Sequence, residues 1–168
     1  MKKLLLLLLY VPLIIYSQEK INVEELNFLD DGTGLSYAYF QGELFSCINC
    51  ELWSKNEKIE TSTFLKGKRE GFCVKYRLYG YNKCFYKNGK RHGKYIEFDE
   101  KSGQIFLERE YENDIIINEK GRYENGSVCY FIVFKGKDAK NGWDEDEPVS
   151  LVCWDERGKE IDCSLIFK

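Results

Sequence analysis

Seven cysteines and one histidine are the residues of this chain best suited to chemistry. Cys47-Ile48-Asn49-Cys50 has the spacing of a redox dithiol or of half a zinc site. A redox dithiol of the thioredoxin kind opens a helix beside a βαβ pattern, whereas the flanks here, Tyr37 to Ser46 and Glu51 to Trp53, read as strand and turn. A zinc site needs two further ligands close by, and Cys73, Cys84 and His92 are scattered. A structural disulfide or inert thiols is therefore the stronger reading. In an oxidising compartment Cys47, Cys50, Cys73, Cys84, Cys129, Cys153 and Cys163 would form up to three disulfides and leave one thiol over, in a pairing that spacing does not choose. His92 sits in the polar turn KRHGK and reads as an exposed loop residue; no serine near it in sequence completes a nucleophilic triad. The many carboxylates fall into no paired motif. No catalytic residue, metal site or cofactor is expected.

The first residues, MKKLLLLLLYVPLIIYSQ, place Lys2 and Lys3 before an apolar run from Leu4 to Tyr16. That run is too short for the roughly 20 residues of a membrane-spanning helix and suits a secretory signal, with Ile15 and Ser17 at the positions a signal peptidase inspects. The alternative is a short uncleaved anchor. No cysteine follows closely enough for a lipid anchor. Residues 1–17 are thus expected to be a signal peptide and 18–168 a single domain, exported to the periplasm or the cell surface, with no transmembrane span after cleavage.

Setting Lys2 and Lys3 aside, 23 basic residues face 28 acidic ones, net −5, which argues against a general nucleic-acid binder. The charge is unevenly spread. Lys66 to Lys94 holds ten basic residues and one acidic, Glu70, for net +9, against −14 for the rest. Such a band suits an anionic partner, although lysines and arginines are also ordinary residues of turns and sheet edges.

Strands must position all of these residues, because aromatics and β-branched residues are plentiful and alanine is confined to Ala38 and Ala139. FLKG at 64–67, YKNG at 86–89, YEND at 111–114 and YENG at 123–126 share one pattern, the first three spaced by 22 and 25 residues. The first two continue alike, as GKREG and GKRHG, so that Gly67 and Gly71 correspond to Gly89 and Gly93. Asn-Gly supplies the positive backbone angles of a tight hairpin turn. The second glycine marks a bulge or a close approach of the neighbouring unit, and an aromatic five residues later (Tyr76, Phe98, and Tyr39 after Gly34) covers a sheet face. Second reversals fit YGYN at 79–82 and DEKSGQ at 99–104. VCYFIVFKG at 128–136 and VSLVCWDERGKEIDC at 149–163 read as strands around an acidic loop, with WDERGKEI echoing FDEKSGQI at 98–105.

YKNGKRHGKYIEF resembles the MORN-variant repeat of bacterial proteins throughout its length. FLKGKREGFCVKY is similar with Lys66 at the asparagine position, YENDIIIN departs by Asp114 and by the missing second glycine, and DGTGLSYAYFQGEL, 31–44, resembles a further unit. The resemblance covers about residues 29–126. It implies an all-β, mainly β, fold: an elongated antiparallel meander of stacked hairpins, closed by a C-terminal capping hairpin within 127–168. Proteins with this repeat are commonly assigned as antitoxins of the YwqK type, so the resemblance implies a protein partner, a toxin among the candidates. The expected binding face combines Lys68, Arg69, Lys90, Arg91 and Lys94 with Tyr76, Tyr95 and Phe98. Three readings follow: an exported non-enzymatic protein-interaction module, antitoxin-like; an envelope protein holding anionic lipid or polymer through the basic band; and a thiol redox or metal factor using Cys47 and Cys50.

Overall fold

A computed structural model describes residues 20–134 and 148–167; residues 1–17, expected to be a signal peptide, and most of the acidic loop lie outside the described residues. The chain is all-β. Its strands are β1 (Lys20–Asn22), β2 (Leu26–Asp30), β3 (Ser36–Phe40), β4 (Glu43–Leu44), β5 (Cys47–Ser54), β6 (Glu57–Leu65), β7 (Lys68–Arg77), β8 (Gly80–Lys87), β9 (Lys90–Arg91), β10 (Gly93–Asp99), β11 (Ile105–Glu112), β12 (Ile115–Arg122), β13 (Val128–Val133), β14 (Ser150–Trp154) and β15 (Glu160–Ile161). From β5 onward the main sheet runs in chain order, β5-β6-β7-β8-β10-β11-β12-β13-β14-β15, with β9 paired to β8. This is the meander expected from the repeat. β14 and β15 form the capping hairpin, tied to the following turn by a Cys153–Cys163 disulfide.

The N-terminal part differs from the expectation. The unit at 31–44 does not join the meander: β2, β3 and β4 make a separate three-stranded sheet, and β1 adds to β5 in parallel. Apolar burial accounts for the arrangement. Leu26, Ala38 and Phe45 of this segment are buried against Leu52 and Phe64 of the main sheet, so the small sheet acts as a lid over one end of one face.

Tight turns set the repeat. Gln41-Gly42, Lys66-Gly67, Asn88-Gly89 and Asn113-Asp114 each place two successive residues at positive φ, the two-residue hairpin turn that Asn-Gly favours. Asp114 keeps this geometry without a glycine because its carboxylate accepts hydrogen bonds from Arg91 N (2.9 Å) and Arg91 Nε (2.8 Å). YENG at 123–126 is not a repeat of this kind; Gly126 N donates to Tyr123 O and Tyr123 N to Ser127 O, a wider loop. The reversal expected at 79–82 lies two residues earlier, on Leu78 and Tyr79, with Gly80 already in β8.

Successive turns dock on one another. Gly67 N donates to Phe45 O (2.7 Å), Gly89 N to Arg69 O (2.9 Å) and Asp114 N to Arg91 O (2.9 Å). The first glycine of a unit thus turns the chain, as expected, and also meets the neighbouring unit, whereas the second, Gly71 or Gly93, lies where the ladder shifts register, the bulge that was one of the two roles expected of it. A Cβ on Gly67 would lie 2.8 Å from Leu44 Cδ2 and 3.0 Å from Ala38 O, and one on Gly89 would lie 2.7 Å from Leu35 Cδ1. Gly71 and Gly93 need glycine for their positive φ of 72° and 73°, and a Cβ on Gly71 would meet nothing within 4 Å. Gly67→Ala should thus lower stability by about 2–4 kcal/mol, combining left-handed strain with overlap, and Gly71→Ala by only about 1–2 kcal/mol from strain alone. Urea denaturation midpoints of the two variants check this order.

Candidate functional site

Side chains alternate across the sheet, so strand register sorts the expected binding residues between two faces. Glu60, Lys75, Asn82 and Glu97 are successive partners across β6, β7, β8 and β10, and with Cys73, Cys84 and Tyr95 they occupy the face that the small sheet partly covers. Val74, Lys83 and Ile96 lie in the neighbouring row on the opposite, open face, together with Tyr76, Tyr81 and Phe98.

The covered face carries a polar groove of about 620 Å³, lined among others by Lys75, Arg77, Asn82, Cys84, Tyr86, Arg91, Tyr95, Arg109, Tyr111 and Asp114. Arg91 and Asp114, 2.8 Å apart, pair across its lining, and further ion pairs lie on the same face around it. Glu60 accepts from Arg69 Nε at 2.6 Å, Arg69 Nη2 at 3.1 Å and Ser62 Oγ at 2.5 Å, with Lys75 Nζ 3.8 Å away. Arg109 pairs with Glu119, which also accepts from Tyr130 Oη at 2.8 Å, and the Tyr95 hydroxyl donates to Glu97. Asn82 is fully buried on the groove floor, and neither end of its amide has a hydrogen-bond partner among the described residues.

The repeat explains two of these arginines. Arg69 and Arg91 hold the same position in GKREG and GKRHG, and each lies over the first aromatic of the next unit: Arg69 5.9 Å from the Tyr86 ring centroid, Arg91 4.4 Å from Tyr111. They clamp unit to unit rather than face a partner. Burial opposes the charge of Arg69, but the Glu60 bond and charge outweigh it and raise the guanidinium above its ordinary value. Tyr95 is also interior, 7 % exposed and packed edge-on to Tyr111 at 5.8 Å. Burial first, then the bond to Glu97, raises its phenol. The expected binding face is consequently split. Arg69 and Tyr95 belong to the interior of the covered face and Arg91 lines its groove, because basic residues at even spacing from a turn point the same way as the aromatics that the next unit buries. Lys68 lies over the Tyr37 ring of the small sheet, at 5.0 Å, and Lys90 lines the groove.

Tyr76 and Phe98 remain accessible on the open face, as does Lys94 at the edge of β10. Tyr81 links them: it lies 6.5 Å from Tyr76 and stacks on Phe98 at 4.6 Å with 9° between the planes. Lys83 Nζ sits 5.1 Å from the Phe98 ring and 5.6 Å from Tyr81, and Lys58 Nζ 4.9 Å from Tyr76. At one end of this ladder the β7–β8 turn projects Leu78, 85 % exposed, and Tyr79, 84 % exposed. Sequence reading missed these two residues as candidates. The available signal was an apolar pair at the centre of a reversal, where polar residues are the rule.

Cysteine chemistry separates into two kinds. Cys47 and Cys50 form a disulfide, closing the Cys-x-x-Cys segment into a bulge in which Asn49 takes positive φ and Ile48 points outward. Cys73, Cys84 and Cys129 are buried thiols, so two disulfides are present where as many as three were expected. His92 is half-buried rather than an exposed loop residue; its backbone N donates to Phe85 O at 2.9 Å as the chain passes from β9 to β10. Among the described residues no cluster of three or more His, Cys, Asp or Glu side chains could hold a metal ion, and no helix is long and apolar enough to cross a membrane. The disulfides are compatible with an exported protein. No protein-family model and no curated protein matches the chain.

Proposed function

We propose that this chain is an exported, non-enzymatic interaction module built of MORN-variant hairpins, and that its open face docks an acidic protein surface. The observation that carries the reading is the Tyr76–Tyr81–Phe98 ladder, flanked by Lys83 and by the Lys58–Glu51 ion pair and ending in the projecting Leu78-Tyr79 turn. Aromatic and apolar anchors of this size, left in water and framed by cations, are the composition from which protein interfaces draw their affinity. An antitoxin role is the specific form of this reading that the repeat resemblance favours. The alternative, purely electrostatic retention of an anionic envelope polymer, is weakened because Arg69, Lys75 and Arg91 of the basic band are already paired with carboxylates.

Native capture with tagged mature protein tests the reading. One stoichiometric protein should survive high salt on the wild type. Leu78→Asp should weaken its binding about 30-fold, the effect of losing one anchor of about 2 kcal/mol, while leaving the melting temperature unchanged. Unchanged binding by Leu78→Asp, or only salt-labile material, would remove this face from consideration. Growth arrest by the partner, relieved on coexpression of this chain, would establish the antitoxin form.

A further inference from the structure

Cys73 and Cys84 are direct cross-strand partners on β7 and β8. Opposed residues of an antiparallel pair have Cα atoms about 4.5–5.5 Å apart, inside the span of about 4.4–6.8 Å that a disulfide bridges. Both side chains are on the covered face, Cys84 at the floor of the groove and Cys73 beside Glu60, to whose Oε1 its sulfur lies at 3.7 Å. Cys129, the third thiol, is on β13, and β10, β11 and β12 separate that strand from β8. At about 4.8 Å per strand it stands well beyond disulfide reach of either.

We propose that Cys73 and Cys84 are a redox-active dithiol that closes by thiol–disulfide exchange with a small disulfide entering the groove, Cys84 attacking and Cys73 resolving. The environment differentiates the two sulfurs in that sense. Cys84 lines the groove and Cys73 does not. Contact with the Cys73 thiol lowers Cys84; burial and the Glu60 charge oppose this, and the Lys75 charge and Tyr86 add to it. The same contact, burial and the Glu60 charge push Cys73 far up. Cys84 is therefore the sulfur that reaches the nucleophilic thiolate first. With oxidised glutathione the Cys84 thiolate attacks one sulfur, the glutathione S–S bond breaks, and the first glutathione leaves as a thiolate that takes up a proton. Cys73 then attacks Cys84 Sγ, its proton passes to the second departing glutathione, and the Cys73–Cys84 bond forms. Two protons and two electrons have moved from the pair to glutathione. The chain then carries three disulfides, with Cys129 the cysteine left over.

The test equilibrates the mature protein in glutathione buffers of increasing oxidised fraction, alkylates it under denaturing conditions and maps it without reduction. Expected are a Cys73–Cys84 linked peptide and Cys129 as the remaining alkylated cysteine at the oxidising end. Cys73→Ser should accumulate one glutathionyl group on Cys84, and Cys84→Ser should acquire none on Cys73. Persistence of both thiols, or linkage of either to any other cysteine, would overturn the dithiol; equal adducts on the two serine variants would overturn the assignment of Cys84 as attacker. Cys73→Ala and Cys84→Ala give the same readout if a serine variant fails to fold. The result is independent of the open face, since Leu78→Asp should leave the linkage unchanged.

Discussion

Glu60→Ala should cost about 3–5 kcal/mol, the range for removing one partner of a buried ion pair and leaving the other charge without compensation. Small domains are stable by only about 5–15 kcal/mol, so this one substitution consumes a large share of the total. Glu60 is 6 % exposed and holds Arg69 through two hydrogen bonds, Lys75 at 3.8 Å and the Ser62 hydroxyl. Arg69 in turn lies over the rings of Phe28, Phe64 and Tyr86, which join the small sheet to successive units of the main one. Loss of the carboxylate strands a guanidinium among those rings. Replacing both partners, as in Glu60→Leu with Arg69→Leu, removes the two charges together and should recover most of the loss; a double-mutant cycle in urea measures the coupling.

Acid should act on the same residue. Burial pushes the Glu60 carboxyl up, but the Arg69 hydrogen bond and charge, with Lys75 and Ser62, outweigh it and hold the carboxyl below its ordinary value in the folded chain. A group depressed in the folded state contributes stability that is complete above its unfolded value, about 4.3, and is lost as pH falls through the lower folded value. Wild type should therefore lose stability between those limits, and Glu60→Gln should lack that component of the acid transition.

The meander and its turns were legible in the sequence because they are local. Two-residue turns need positive φ, and Lys66-Gly67, Asn88-Gly89 and Asn113-Asp114 advertise it at a regular spacing. The separate sheet formed by β2, β3 and β4 was not legible: DGTGLSYAYFQGEL has the turn chemistry of the other units, and only the burial of Ala38 and Leu26 against Phe64 sends it onto the face instead of into the row. The candidate site was half legible for a related reason. A basic band is visible in the sequence, but a carboxylate such as Glu60, nine residues before Arg69, or Asp114, 23 residues after Arg91, becomes its partner only through register. Spacing also could not tell which aromatics face water: Tyr76 and Phe98 lie on the open face, whereas Tyr95, an odd number of residues from Phe98 on the same strand, turns inward.

Gly80→Ala should be the most damaging substitution among the described glycines, because its Cβ would run into main chain far more closely than at any other of them. That atom would lie 1.9 Å from the carbonyl oxygen of Phe98 and 3.1 Å from its carbonyl carbon. Side chains can yield to an added methyl; at Gly121, where the clash is with the Tyr130 ring, the ring can turn at the expense of its bond to Glu119. The Phe98 carbonyl has no such freedom. Phe98 faces Tyr81 across the β8–β10 pairing, and the next residues fix the segment further, with Glu100 N donating to Tyr79 O at 3.1 Å and Asp99 N to Gln104 O at 2.9 Å. Accommodating the methyl requires the two strands to part at this end, which opens the Tyr81–Phe98 stack on one face and exposes Asn82 on the other. A loss of about 3 kcal/mol or more, at the upper end for single substitutions, is expected in urea unfolding. The same strand parting should raise hydrogen exchange at the β8 and β10 amides nearest the turn while sparing those of β12 and β13. It should also weaken partner binding at the adjoining Leu78-Tyr79 turn, so Gly80→Ala couples fold to function where Leu78→Asp affects function alone.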